Sequence, residues 1–95
     1  MKLRKTENGK KYDRIGSFRV SEKVFNDHPE MLIPVFELGV VVLNLIHFKI
    51  VGFHEYIALS PDFDWVEEGS ATPLYVVKCH EHEDGKISAN FEVQS

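Results

Sequence analysis

Two histidines, His80 and His82, are the residues whose type and spacing best suit chemistry in this chain of 95 residues. In a β-strand, residues two positions apart share a face, so the two imidazoles can reach one metal ion. Zinc sites need further ligands, and no spacing motif ties another donor to this pair. The donors that could complete a site are His47, His54, Glu55 and Glu81. We therefore predict no cofactor, and keep a small zinc-binding domain or metalloenzyme as the alternative function.

A second candidate for chemistry is Cys79, the single cysteine, whose thiolate form would be a nucleophile. Strand alternation places Cys79 on the face opposite His80, so that histidine cannot act as its partner. A cysteine in such a setting is typically a small buried hydrophobic residue. Spacing alone assembles no catalytic triad, and we predict that the chain is not an enzyme.

The segment from residue 62 to residue 68 combines carboxylates with aromatic rings. Aromatic side chains anchor many protein interfaces, and a field of negative charge attracts a basic surface. We therefore predict a small acidic regulatory module that binds a protein partner with a basic surface, including an inhibitor that competes with nucleic acid. The predicted partner-binding residues are Asp62, Phe63, Asp64, Trp65, Glu67 and Glu68.

The same segment has a purely structural interpretation. Phe63 and Trp65 can cover the core beneath a connection between strands, since a tryptophan in a small domain is usually largely buried. The carboxylates cannot be buried unpaired, so an acidic surface is expected in either case. The two interpretations differ in whether the aromatic rings contact a partner.

Charge is distributed unevenly along the chain, whose formal net charge is −4. Residues 1–14 carry about +4 and residues 51–85 about −7. The acidic balance, and the lack of basic residues interleaved with aromatic ones, argue against direct binding to nucleic acid.

Length and composition predict a single domain over residues 1–95, with a basic hairpin or flexible arm at 1–14 and a compact α+β body at 15–95. No apolar run reaches the roughly 20 residues of a spanning helix, so we expect no membrane partner. A single cysteine suggests no oxidising compartment, and we predict a cytoplasmic location. A domain this small leaves apolar surface uncovered, which favours a homodimer over a monomer.

Most of the strongly apolar residues lie in one run, residues 40–60, against which the segments that carry these candidates must fold. Its β-branched and aromatic residues favour a buried pleated surface, and Gly52 divides it into two strands. We predict that both strands form the core around which the rest of the chain folds.

A C-terminal hairpin of residues 74–82 and 86–94 is the clearest element. Apolar residues occupy every second position from Ile87 to Val93. A three-residue loop at 83–85, with Gly85 in the left-handed conformation, pairs Cys79 with Ala89 and keeps the apolar residues on one face.

Other turn signals complete the predicted fold. Asn8 and Gly9 favour a type I′ hairpin, and Ser21 can cap a helix. A helix over residues 28–38, capped by Asp27, is interrupted by Pro34, so the segment is a kinked helix or a short helix followed by a strand. We predict an α+β fold with a small antiparallel sheet of about four to six strands and one or two short helical segments. The alternative is a small all-β barrel or sandwich.

Overall fold

A computed structural model describes residues 2–94, so positions 1 and 95 of the predicted domain lie outside the described residues. Within that range the chain forms seven β-strands, two short α-helices and one 3-10 helix. The strands are β1 (Arg4–Glu7), β2 (Lys10–Ser21), β3 (Val41–Phe48), β4 (Phe53–Leu59), β5 (Trp65–Glu67), β6 (Leu74–Glu81) and β7 (Ile87–Val93). The helical segments are α1 (Glu22–Asp27), the 3-10 helix (Pro29–Leu32) and α2 (Ile33–Phe36).

The sheet is organised around β2, which is 12 residues long. The first half of β2 pairs with β1 and β5, and its second half pairs with β4 and β6. Strand order across the larger part is β3-β4-β2-β6-β7. The two edges of that part are therefore β3 and β7.

The sheet differs from the predicted one in strand number and in strand direction. It has seven strands within residues 2–94 instead of four to six, and β6 runs parallel to β2. Parallel pairing is possible here because no tight hairpin joins β2 to β6, and the chain between them passes through the helical segments, β3, β4 and β5. The sheet is mixed and open and residues 29–36 are helical, so the alternative of a small all-β barrel or sandwich is wrong.

The core lies between one face of the sheet and the three helical segments. Phe18 is fully buried at its centre and stacks on Tyr56, with ring centroids 5.1 Å apart. Val35 of α2 is 2% exposed and closes the core from the helical side. We call the face that carries Phe18, Tyr56 and Tyr75 the covered face, and the opposite face, which carries Ser17 and residues at alternate positions, the open face.

The prediction that the whole run of residues 40–60 forms the core is correct for β4 and wrong for β3. In β4, His54, Tyr56 and Ala58 are buried, whereas every residue of β3 is exposed. The reason is position in the sheet, because β4 lies between two strands and β3 has only β4 beside it within residues 2–94.

The helical region begins as predicted and then departs from the prediction. The Ser21 hydroxyl accepts a hydrogen bond from the Val24 N–H at 3.2 Å and so caps α1. The predicted helix over residues 28–38 is replaced by the 3-10 helix and the single turn of α2. Pro34 lies in the first turn of α2, where no N–H is required. The residue before the 3-10 helix is His28, without a side-chain cap, so Asp27 does not cap a helix there.

Both predicted hairpins are confirmed. Asn8 and Gly9 have φ angles of 52° and 76°, which is the conformation that a type I′ turn requires. Gly85 has a φ of 83°, and Cys79 lies opposite Ala89 in the β6–β7 ladder, which is the predicted register.

Candidate functional site

The acidic and aromatic segment begins as a tight turn that is held by hydrogen bonds. The hydroxyl of Ser60, a residue that is 0% exposed, accepts the N–H of Asp62 at 3.1 Å. The Ser60 carbonyl accepts the N–H of Phe63, also at 3.1 Å, and the Tyr75 hydroxyl accepts the N–H of Asp64 at 3.0 Å. We call residues 60–64 the acidic turn. Its backbone is fixed by these three bonds, and it leaves the side chains of Asp62 and Asp64 exposed.

Phe63 holds the acidic turn against the core. Its ring stacks on Tyr75 with centroids 4.4 Å apart and meets Phe91 edge-on at 4.7 Å. Only 1% of Phe63 is exposed. The prediction that Phe63 contacts a partner therefore needs correction, because its ring is part of the core and serves as the anchor of the turn.

Trp65, the first residue of β5, lies between two cations. The ring is half-buried, with Lys5 Nζ 4.6 Å and the Arg14 guanidinium carbon 4.9 Å from its centroid. Arg14 also donates a hydrogen bond from Nη1 to the carbonyl of Pro61. The N-terminal hairpin thus packs directly on the predicted binding segment, through cation–π contacts and a bond to the acidic turn.

The basic hairpin also compensates part of the negative charge. Glu67 lies 3.7 Å from Lys10, and the Glu68 N–H donates to the Lys11 carbonyl at 2.8 Å. Within residues 2–94, Asp62 and Asp64 form no salt bridge. The acidic surface is therefore smaller than the run of four carboxylates suggests.

Glu68 borders an open cleft of about 620 Å³ beside β1 that is mainly basic. The residues that line it are Lys2, Arg4, Lys5, Thr6, Lys11, Asp13 and Glu68. Local sequence does not predict this juxtaposition, because the cations that line the cleft lie far from the acidic segment along the chain. The signal that could have found it is the pair of opposite charge sums for residues 1–14 and 51–85.

The two candidate metal ligands lie at the end of β6 on the open face. His80 is opposite Ser88, and His82 Nε2 lies 2.9 Å from the Ser88 hydroxyl. Within residues 2–94, no group of three or more His, Cys, Asp or Glu side chains is placed to hold a metal ion.

Three of the four other proposed donors, His47, His54 and Glu55, make contacts elsewhere. His47 and His54 stack on each other on the covered face, with ring centroids 4.2 Å apart. The ring of Phe25, in α1, also stacks on His54, with ring centroids 4.0 Å apart. Glu55 is engaged by Arg19, with Nε and Oε1 3.1 Å apart. The pair of His80 and His82 is therefore not joined by these side chains.

Cys79 lies on the covered face, as the register predicts, but it is exposed and not buried. Its thiol borders a small apolar cleft of about 140 Å³ between the sheet and the helical segments. The burial prediction is wrong because the helical segments end before they cover this part of β6.

Comparisons of the chain with known protein families, with curated proteins and with solved structures find no match. None of the helices within residues 2–94 is long and apolar enough to cross a membrane. Function must therefore be argued from the surfaces of the fold itself.

Proposed function

We propose that this chain is a small non-enzymatic module that binds a basic surface on a protein partner through its acidic turn. In this proposal Asp62 and Asp64 make the charged contacts. The partner uses its basic surface to bind nucleic acid, and the module inhibits it by competition. Carboxylates suit this role because the Lys and Arg side chains that contact phosphates also bind carboxylates.

The observation that best supports the proposal is the rigidity of the acidic turn. Three hydrogen bonds and the buried ring of Phe63 hold two exposed carboxylates that have no salt-bridge partner within residues 2–94. A fixed loop loses little conformational entropy when a partner binds, so a small charged contact can contribute more to affinity. Lys10 of the basic hairpin already forms a salt bridge with Glu67. In this proposal the charged contact with the partner is therefore made by the acidic turn.

The proposal includes a cytoplasmic location and self-association. The exposed free thiol of Cys79 suits a reducing compartment, where thiols stay reduced. Self-association involves the edge strand β3 and not the carboxylates of the acidic turn.

The decisive experiment reverses the two free charges. Purified protein is used to isolate its partner, and association and dissociation rates are then measured for the wild type and for Asp62→Lys/Asp64→Lys. We expect the variant to associate at least about tenfold more slowly at ~50 mM salt, because steering by charge is lost. The wild-type rate should fall as salt rises to ~500 mM, whereas the variant rate should change little.

A matched control changes the net charge equally at a distance from the turn. Asp27→Lys/Glu30→Lys alters two exposed carboxylates at the end of α1 and in the 3-10 helix. We expect near-normal association for this control. Equal rates for the wild type and the Asp62→Lys/Asp64→Lys variant at every salt concentration would contradict the proposal, and a decisive loss with Trp65→Ala alone would indicate an aromatic contact instead.

A further inference from the structure

The most apolar unpartnered surface of the protein is the edge strand β3. Its apolar side chains are between 36% and 49% exposed on both sides of the strand, although an interior strand of this composition would be buried. Ile50 and Val51, in the turn that follows, are 101% and 63% exposed. The exposed apolar residues of the strand are Val41, Val42, Leu43, Leu45, Ile46 and Phe48.

The backbone of β3 is equally open to pairing. Within residues 2–94 only β4 pairs with it, so alternate N–H and C=O groups point away from the sheet. The N–H of Leu45 donates to the side-chain oxygen of Asn44 at 2.9 Å, which is an acceptor that can rotate away. The strand contains no proline and no Lys, Arg, Asp or Glu, the residues that usually protect an edge. A β-bulge at Leu43 is its one protective irregularity, and the register from Asn44 to Phe48 is regular.

We propose that β3 pairs antiparallel with β3 of a second copy of this chain, about a two-fold axis near the middle of the strand. The two sheets then form one continuous sheet across the dimer. The acidic turn adjoins the beginning of β3, because Leu59 lies opposite Val41 and Pro61 lies beside Gly39. The pairing itself uses the side chains and backbone of β3 and not Asp62 or Asp64, so the mass of the Asp62→Lys/Asp64→Lys variant in solution distinguishes this inference from the proposed function.

The charges at the two ends of β3 favour a second copy of this chain as its pairing partner. Glu37 is exposed in the turn before β3, and Lys49 is exposed just after it. Antiparallel pairing brings the end of each strand to the beginning of the other, so the Lys49 of each copy approaches the end that carries the other copy's Glu37. Between those ends the strand is uncharged apart from the titratable His47, so two identical strands do not repel each other.

The apolar area is sufficient for a small symmetric interface. Taking each exposed side chain at on the order of 80 Å², with the backbone and the turn adding the rest, pairing can bury at most about 600 Å² per copy, which is at the lower end of specific interfaces. The other edge strand, β7, offers less, because Ser88, Asn90 and Glu92 alternate with its apolar residues. Association through β3 alone closes as a dimer and does not extend into a filament.

The first test measures mass in solution by sedimentation equilibrium at about 100 μM. We expect the wild type to sediment at twice the 11.0 kDa chain mass. Ile46→Lys, which places a charge on the proposed interface, should raise the dissociation constant at least about 30-fold. Val93→Lys is the matched control, since Val93 is an exposed apolar residue on the opposite edge, and it should leave the dimer intact.

Circular dichroism of the Ile46→Lys monomer should match the wild type, because the side chain it replaces is 36% exposed. A monomeric wild type would overturn the proposal, as would a dimer that survives Ile46→Lys or is lost in Val93→Lys.

The second test locates the two-fold axis without relying on a disruptive variant. In a Cys79→Ser background, single cysteines are placed at Asn44, Leu45 and Ile46, and at Val93 as the control. A residue close to the axis faces its own copy within disulfide reach, so at least one of the three should cross-link to a dimer under mild oxidation. Absence of cross-linking at all three positions, or equal cross-linking at Val93, would overturn antiparallel pairing through β3.

Discussion

β3 and β4 are neighbours in the chain and partners in the sheet, yet they lie in opposite environments. β3 has the more apolar sequence, and all eight of its residues are exposed. β4 contains a histidine and a glutamate, and four of its seven residues are buried. Leu45 and Tyr56 face each other directly across the ladder, with 43% of Leu45 and 6% of Tyr56 exposed.

Burial of these two strands therefore follows from their position in the sheet and not from their hydrophobicity. β4 lies between β3 and β2, and Phe36 of α2 covers it through an edge-on contact with Tyr56. Its polar residues are accommodated by specific contacts: Glu55 is bound by Arg19, and His54 is stacked between aromatic rings. β3 has no such neighbour on its outer side within residues 2–94, which leaves its apolar residues for association.

The largest predicted effect is a difference in the free energy of unfolding between substitutions at two facing residues, Tyr56 in β4 and Leu45 in β3. Tyr56→Ala should lower the free energy of unfolding by about 3–5 kcal/mol, because it leaves a cavity against Phe18. Leu45→Ala should lower it by less than about 1 kcal/mol, because that side chain is already in contact with water. Urea unfolding at low micromolar concentration, where association contributes little, gives both values. Equal losses would show that β3 carries as much of the core as β4.

A second prediction concerns crowding over the covered face of β2. Gly16 lies opposite Ala58, and a Cβ added at Gly16 would lie 2.6 Å from the ring of Tyr75. Gly16→Ala should therefore cost about 1–3 kcal/mol, since the ring must move within a packed core. Thr6→Ala in the exposed strand β1 serves as the control, with no change beyond about 0.5 kcal/mol. A neutral Gly16→Ala would mean that the covered face is looser than these contacts require.

A third prediction concerns the charged pair on the open face. Arg19 is half exposed while it bonds Glu55 and lies over the ring of Phe53 at 4.6 Å. A double-mutant cycle of Arg19→Met and Glu55→Gln should give a coupling free energy of about 0.5–1 kcal/mol that decreases at high salt. A coupling of several kcal/mol would instead indicate that the open face is covered in solution.

The smallest predicted effect is a dependence of folding stability on pH that arises from Tyr56 in β4. Burial raises the pKa of the Tyr56 hydroxyl above its usual value of 10.0. The unfolded chain then loses this proton at lower pH than the folded chain does, so wild-type stability falls as pH rises above 10. Tyr56→Phe removes this contribution. Thermal unfolding at pH ~8 and ~11 should show a smaller drop for Tyr56→Phe, and an identical drop would contradict a raised pKa in the fold.

Local signals predicted the turns well because each turn depends on a few adjacent residues. The positive φ of Asn8, Gly9 and Gly85, and the cap at Ser21, follow from the conformations that these residue types favour. The register of the β6–β7 hairpin followed from matching one apolar face to the other.

The candidate site was predicted only in part. An acidic surface and a structural role for Phe63 were both foreseen, but the partners that bury its ring, Tyr75 and Phe91, belong to two later strands. The placement of Lys5, Lys10 and Arg14 beside β5 depends on pairing between the two halves of the chain. No local pattern encodes a contact over 50 residues or more.

The amino-acid sequence alone was enough to predict the two hairpins, their turns and the faces on which their apolar residues lie, because alternation and turn chemistry are properties of neighbouring residues. The number of strands and the identity of the edge strands depended on contacts between distant segments. Strand order depends on pairing free energies summed over the whole sheet, so an apolar run such as β3 can be left exposed while the less apolar β4 is enclosed. That ordering also joined a basic hairpin to an acidic segment and so decided which charges remain free for a partner.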